Sequence, residues 1–522
     1  MNIVSALLLS LFVALLITEN YGYGYWMISR PIFAGPLIGL IMGDVKTGLA
    51  VGASVELMFM GVLPIGGSVP PNAQIAGVIG TIYAIQSNSP SLGISLALPI
   101  GILAQFLIML AWNINIFIVH KSDKAINSGN TKKIELIHLS GILVFFLVFF
   151  IASFLAIYFG SDFVKNINDA LPAWVSGGIE IASGLLPAIG MAMLLKMMDF
   201  KKYWPFFLIG FILSVYLELN VLAVSLLGLG IAAGIMSISK KDGERLSIEE
   251  DDEKEDGLIE KKDLRKVVLR SFFTMSTINY ERYMSLGFNY AMIPILRKIY
   301  PDEEEYIKAL QRHNEFFNCH PYTTNVVLGV ATALEEQRAM GKLVTEETIA
   351  STKTALMGPL SGIGDSVFKA TFMTIFAAIG AGLALNGNIL GPIIFIVPNV
   401  TLNLLTRYFG VFWGYKFGVK LIVKMKQSDL IQKFVQGATI VGMMVTGSMV
   451  VNFVKIQLTA TWVSGGKEII LQELLDQIFP SLLPLVITLL FYTALVKKKK
   501  AIYWLMIVCF IIGLAGKFFG IL

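Results

Sequence analysis

The run ILVFFLVFFIASFLAIYF, Ile142–Phe159, decides the fold class. It carries no charge, and at a rise of 1.5 Å per residue a helix of this length crosses most of the roughly 30 Å of bilayer hydrocarbon. Lipid offers no water to an unpaired backbone N–H or C=O, so such a run is helix and not an isolated strand. Val221–Ile238 and Pro480–Val496 repeat the pattern further along. Around these runs, the 522 residues are 55% hydrophobic and only 15% charged, with a mean hydropathy of +0.72. Soluble domains carry about 25% charged residues, so a soluble enzyme is excluded. The expected fold is an all-α membrane protein: a polytopic helical bundle with re-entrant or broken helices, in two membrane halves.

The net charge of +5 is small, and no basic cluster is interleaved with aromatics as nucleic-acid binding would require. Cys319 and Cys509 are far apart and form no CxxC, so neither a disulfide framework nor a metal site is expected, and no cofactor motif is found. Met1–Ile17 lacks a basic start and a small-residue cleavage site, and reads as a retained membrane helix.

The long hydrophilic stretch Ser239–Lys266, with its run Glu249-Glu-Asp-Asp-Glu253, divides the chain into membrane domains 1–238 and 267–522. Dense mixed charge with few apolar residues buries no core, so a flexible tether is expected, with a regulatory docking segment as the competing reading. Basic residues cluster in Lys121–Lys133, Lys196–Lys202, Lys420–Lys426 and Lys497–Lys500. The positive-inside rule puts these clusters, and the tether with them, on the cytoplasmic side. Ile502–Leu522 then crosses once more and leaves the C-terminus outside.

Between Pro31 and Thr81 the membrane pattern breaks. The segment holds Asp44, Lys46 and Glu56, then Pro64-Ile-Gly-Gly-Ser-Val-Pro-Pro-Asn-Ala-Gln74. Glycines and paired prolines end helices, and irregular backbone at membrane depth survives only inside protein or along a cavity. A transporter site built from broken helices has this form, whereas an extramembrane turn is the blander alternative. Asn72 and Gln74 offer amide donors and acceptors. Glu56 has no basic neighbour in sequence closer than Lys46, and an intramembrane carboxylate is by default a functional candidate; its alternative is a helix-end carboxylate reaching water.

The second half opens with amphipathic segments, Val267–Tyr300 and Tyr306–Met340, which lie in the interface or pack inside the protein. Within them Glu315-Phe-Phe-Asn-Cys-His320 sets Glu315, Asn318 and His320 among aromatics, as a buried polar network or a ligand site. In Gly358-Pro-Leu-Ser-Gly-Ile-Gly-Asp365, the aspartate is expected to cap the following helix. No GxxxxGK[ST] phosphate loop, HExxH or GxSxG occurs, so no catalytic residue is assigned.

These breaks carry a family resemblance. The first half resembles the enzyme IIC subunit of mannose-family sugar phosphotransferase systems (PTS) through Arg30-Pro31, GLIMGDVKTG at Gly39–Gly48, GASVE at Gly52–Glu56, PIGGSVPPNA at Pro64–Ala73 and the loop Asp123–Asn130. The second resembles the companion IID subunit through Leu269-Arg-Ser271, NYERYMSLG at Asn279–Gly287, RHNEFFNCHP at Arg312–Pro321, Leu334-Glu-Glu-Gln-Arg338, MGPLSGIGD at Met357–Asp365, and Thr406–Gly410 with Gly414–Gly418. The resemblance implies a IIC–IID fusion that binds a hexose outside and presents it to a phosphorylated IIB or IIAB protein in the cytoplasm. Phosphohistidine chemistry then belongs to that partner, with phosphoenolpyruvate as the ultimate donor. It further implies a homotrimer in the lipid of the cytoplasmic membrane, and a sugar-binding role for Asn72, Glu56 and Gln74, with Glu315, Asn318 and His320 as site or interface residues. Mannose-type members commonly have aspartate where Asn72 stands; an amide in its place leaves room for an amino or N-acetyl hexose. The alternative is an ion-coupled secondary sugar transporter with Glu56 or Asp365 as its proton site.

Overall fold

A computed structural model describes residues 2–62, 69–170, 172–238, 257–427, 429–464, 467–498 and 502–522. The first half runs α1 (Ile3–Thr18), α2 (Pro31–Met42), α3 (Val45–Phe59), α4 (Ala73–Gln86), α5 (Pro90–Asn127), α6 (Thr131–Ala170), α7 (Ala173–Met197), α8 (Phe200–Tyr216) and α9 (Val221–Ile238). The run Ile142–Phe159 lies within α6, whose Thr131–Gly160 stretch is long and apolar enough to cross a membrane. Among the described residues four other helices pass the same test: Pro90–Asn127, Ala173–Lys196, Glu346–Leu385 and Leu390–Lys416. The bent pair Leu471–Ile478 and Leu482–Val496 adds one more if counted as a single span.

Helices α2, α3 and α4 are each too short to cross roughly 30 Å of hydrocarbon alone. This agrees with the reading of Pro31–Thr81 as broken membrane structure, although Pro64–Ser68 of the predicted break lies outside the described residues. Gly43 ends α2 in the left-handed conformation, at φ 84°, and the Asp44 side chain caps α3 by accepting the Thr47 N–H at 3.0 Å. The resulting hairpin closes tightly because glycines face each other across it. A Cβ on Gly48 would collide with the Gly35 carbonyl, and one on Gly39 with the Asp44 carbonyl, so the motif Gly39–Gly48 is a packing device.

The second half runs α10 (Lys261–Ser271), α11 (Ser285–Ile299), α12 (Glu303–His313), α13 (Thr324–Ala339), α14 (Glu346–Ile363), a π-helical stretch Gly364–Met373, α15 (Thr374–Leu385), α16 (Leu390–Gln427) and α17 (Asp429–Phe453). A hairpin of β1 (Thr461–Ser464) and β2 (Lys467–Ile470) follows, paired antiparallel. The last helices are α18 (Leu471–Ile478), α19 (Leu482–Val496) and α20 (Ile502–Phe518). The two halves interleave: α17 packs on α8 and α9, and α19 and α20 pack on α7.

The amphipathic segments pack inside the protein, with Met284, Leu286, Phe288 and Phe317 buried. The predicted tether ends differently from expectation. Residues 239–256 lie outside the described residues, but the charged end at Lys261–Lys266 is the first part of α10. A capping box of Glu260 and Asp263 starts that helix. Asp263 is buried and accepts from Lys298 Nζ at 2.6 Å, and the Ile259 N–H donates to Glu336 at 2.8 Å. Charges read as solvating are here cap and cross-links.

Candidate functional site

The halves meet around a cavity of about 140 Å³. That is several times the roughly 30 Å³ a water occupies in the liquid, the scale of a small polar ligand. The first half contributes Tyr25, Arg30, Pro70–Gln74 and Trp112, and the second contributes Tyr283, Asn318, His320, Asp365 and Lys369.

Asn72 stands at the N-terminus of α4. Its Oδ1 accepts the Ile75 N–H at 2.7 Å, and its own N–H donates to the Gly101 carbonyl at 2.8 Å. With the oxygen committed to the cap, the amide NH₂ is what Asn72 has left for a ligand. Gln74 follows in the first turn and lines the same cavity. Gln105 steadies the approach by donating to the Val69 carbonyl at 2.6 Å.

Glu56 does not line the cavity. It is fully buried on α3 and paired with Arg30, whose Nε donates to Oε1 at 3.1 Å. Arg30 is the lining residue; Glu56 holds its guanidinium in place. The loop before it, Gly24–Ser29, is fastened on two sides. The buried Glu19 carboxylate accepts the Trp26 N–H at 2.6 Å and the Ser29 hydroxyl at 2.6 Å. From the second half, Arg407 donates to the Gly24 carbonyl at 3.2 Å and the Ser271 carbonyl at 2.6 Å. Asn403 Nδ2 joins it on Gly24 at 2.8 Å. Between these anchors Tyr25 and Met27, both at the cavity, adopt positive φ of 57° and 66°, a conformation that side chains reach only when surroundings enforce it.

His320 is buried against Phe368, with ring centroids 5.7 Å apart. Its Nδ1 accepts the Tyr322 N–H at 3.2 Å, so the proton of the neutral ring sits on Nε2, which has no protein partner. Gly364 makes this seat possible, because a Cβ there would overlap the imidazole. The π-helical stretch beginning at Gly364 carries Asp365 and Lys369, paired at 3.1 Å, to the cavity wall. Asp365 is thus an ion-pair member within a continuous helical stretch, not the expected helix cap. Such π turns cluster at functional sites.

Glu315 lies elsewhere, exposed on an open groove with Asp123, Arg282 and Phe316. There Arg282 forks onto Asp123 at 2.7 and 3.0 Å, joining the halves. Arg312 and His313, at the start of the Arg312–Pro321 motif, belong to a buried network. Arg312 donates to both Glu335 oxygens at 2.7 Å, with His313 and Tyr300 also at 2.7 Å. Burial pushes the Glu335 carboxyl up, but the Arg312 and His313 hydrogen bonds outweigh it and hold it at about 2.

Of the six candidates, Asn72, Gln74, Asn318 and His320 meet at one cavity, Glu56 stands behind it, and Glu315 is outside. Sequence reasoning missed Arg30, Tyr25 and Lys369 as lining residues. An arginine abutting Pro31 at the head of an apolar run was the available signal, since such a charge needs a buried partner.

A family model described as the PTS system mannose/fructose/sorbose family IID component matches residues 258–522. Another, for the PTS system sorbose-specific IIC component, matches residues 3–234. The chain is 41% identical over 267 residues to the mannose-specific EIID component of Escherichia coli K12, covering 50% of this chain and 94% of that protein. It is 33% identical over 214 residues to the mannose-specific EIIC component of the same strain, covering 41% and 80%. The fructose permease IID component of Bacillus subtilis is 37% identical, covering 50% and 97%. A chain from the cryo-EM structure of the mannose transporter ManYZ with microcin E492 is 38% identical, covering 51% and 98%, with a TM-score of 0.30.

Proposed function

Because the chain belongs to the mannose/fructose/sorbose family of the PTS and joins a IIC and a IID component in one polypeptide, we propose that the cavity where the components meet is its sugar site. The chain is a multi-pass, sugar-specific PTS permease. One observation carries the site proposal: Asn72 and Gln74 of one component and Asn318 and His320 of the other converge on a single cavity. A sugar exchanges its water shell for hydrogen bonds, and this cavity offers the Asn72 NH₂, the Gln74 amide, the Asn318 amide and the unpartnered His320 Nε2–H. Aromatic Tyr25, Trp112 and Tyr283 supply apolar walls for ring faces.

The substrate class we favour is a hexose or an amino or N-acetyl hexose, because the NH₂ at position 72 donates to a carbonyl or hydroxyl oxygen. The basic loops argue for a cytoplasmic linker and an extracytoplasmic C-terminus. A homotrimer in membrane lipid and a cytoplasmic IIB or IIAB donor are carried from the family. Glu56 and Asp365 are each already held by a cation, which argues against either as a proton-coupling site. In membrane vesicles, uptake is expected to require phosphoenolpyruvate and the cytoplasmic carrier proteins, and to deliver phosphorylated sugar. Uptake of unmodified sugar on a proton gradient alone would overturn this reading. A panel of hexoses and amino sugars in the same assay identifies the substrate.

A further inference from the structure

The product of this permease differs from its substrate by one group, a phosphate monoester carrying about −1.5 to −2 charge at neutral pH. Proteins hold such groups with free arginine or lysine side chains or with uncapped helix N-termini. All three kinds of feature border the cavity, and each already has a partner within the protein. Both Arg30 Nε and Arg30 Nη2 are bonded to Glu56. Lys369 Nζ is on Asp365 Oδ1 at 3.1 Å. At the N-terminus of α4, the Asn72 side chain takes the Ile75 N–H. His320 adds no charge, because its Nδ1 accepts a backbone N–H and leaves the ring neutral.

We infer that Asp365 is a specificity-determining residue which, with Glu56 behind Arg30, keeps the cavity charge-balanced so that it holds a neutral sugar and releases the phosphorylated one. This inference rests on the reading of the cavity as the sugar site. Asp365 is the more informative of the two carboxylates. It lines the cavity and is partly exposed, with 23% of its side-chain surface accessible against 0% for Glu56, so removing its charge frees Lys369 toward the ligand without opening the core. The neutralised cations also separate binding from release: the phosphoryl transfer itself converts a ligand that fits into one for which the cavity has no counter-charge.

The test uses the purified full chain in detergent, titrated calorimetrically with mannose, fructose and N-acetylglucosamine, with their 6-phosphates, and with inorganic phosphate. The parent is expected to bind at least one free sugar and none of the phosphorylated probes measurably. Asp365→Asn is expected to gain affinity for the 6-phosphates and inorganic phosphate by about tenfold or more, and adding Lys369→Gln is expected to abolish the gain. A gain of binding cannot arise from misfolding. The inference is overturned if the parent binds the 6-phosphate as tightly as the free sugar. It is equally overturned if Asp365→Asn leaves anion affinity unchanged, or if the gain survives loss of Lys369. Failure of the underlying site reading shows separately, as an Asn72→Leu variant with parental sugar affinity.

Discussion

Replacing Glu56 by glutamine tests how the cavity is held together. Glu56 and Arg30 are 0% and 7% exposed at their side chains, and Arg30 Nε and Nη2 both donate to one Glu56 oxygen. Removing one partner of a buried pair costs about 3–5 kcal/mol, because the remaining charge stays desolvated. Glutamine keeps one carbonyl acceptor, so the lower end, about 3 kcal/mol, applies. At about 2–4 °C per kcal/mol for a large domain, thermal unfolding in detergent should fall by roughly 6–12 °C. The double variant Arg30→Met with Glu56→Leu removes both charges and should recover most of that loss, because apolar replacement of a buried pair is often neutral. Sugar binding should not recover with it, since the guanidinium at the cavity wall is gone. A Glu56→Gln protein that melts like the parent would refute the argument, as would a double variant with parental sugar affinity.

Four further outcomes follow from the same geometry. Asn72→Leu should abolish sugar binding and cost about 1 kcal/mol through the lost cap, whereas Asn72→Asp keeps the cap and should alter sugar preference in a binding panel without lowering stability comparably. Glu335 has a folded pKa of about 2 against an ordinary 4.5, so its stabilisation is full above pH 4.5 and is lost as pH falls toward 2. That is worth roughly 3 kcal/mol, and the gap in melting temperature between parent and Glu335→Gln should close across that window. Gly48→Val drives a side chain into the Gly35 carbonyl and should cost about 1–3 kcal/mol, read as lowered thermal stability. Omitting residues 239–256 and co-expressing the two halves should preserve phosphoenolpyruvate-dependent uptake, because Arg282–Asp123 and Arg270–Glu135 join the halves without the linker.

The spanning helices were legible because hydrocarbon thickness and backbone satisfaction leave an apolar run few options. Ile142–Phe159 lies within α6, which is long and apolar enough to cross. Val221–Ile238 is α9 residue for residue and Pro480–Val496 contains α19, but the apolar stretch Val221–Ile235 and α19 alone are shorter than a span. The short helices at Pro31–Thr81 were legible as a break for the same reason, since glycine and proline interrupt an otherwise continuous apolar segment. What pairs with what was not legible. Glu56 was read as lacking a basic neighbour, yet Arg30 reaches it through the α2–α3 hairpin, a fold-back that chain distance conceals. Asp365 looked like a cap because π-helical backbone has no sequence signature that separates it from a helix start. Glu315 and His320 share one short motif, but the chain turns between them, sending one to the surface and the other to the cavity. The interleaving of the halves, with α17, α19 and α20 on α7–α9, depends on side-chain fit that hydropathy does not encode.

The central claim is that one sugar is held jointly by the two components. Single-cysteine variants Val69→Cys and Ser361→Cys, at lining residues of the first and second half given no sugar-binding role, with Cys319 and Cys509 replaced by alanine, put a reporter on each side of the cavity. Their rates of modification by a small thiol reagent, with and without the transported sugar, read occupancy from both directions. The account predicts that the sugar slows modification at both positions, with the same half-protecting concentration. Protection at one position alone, or at neither, would contradict it.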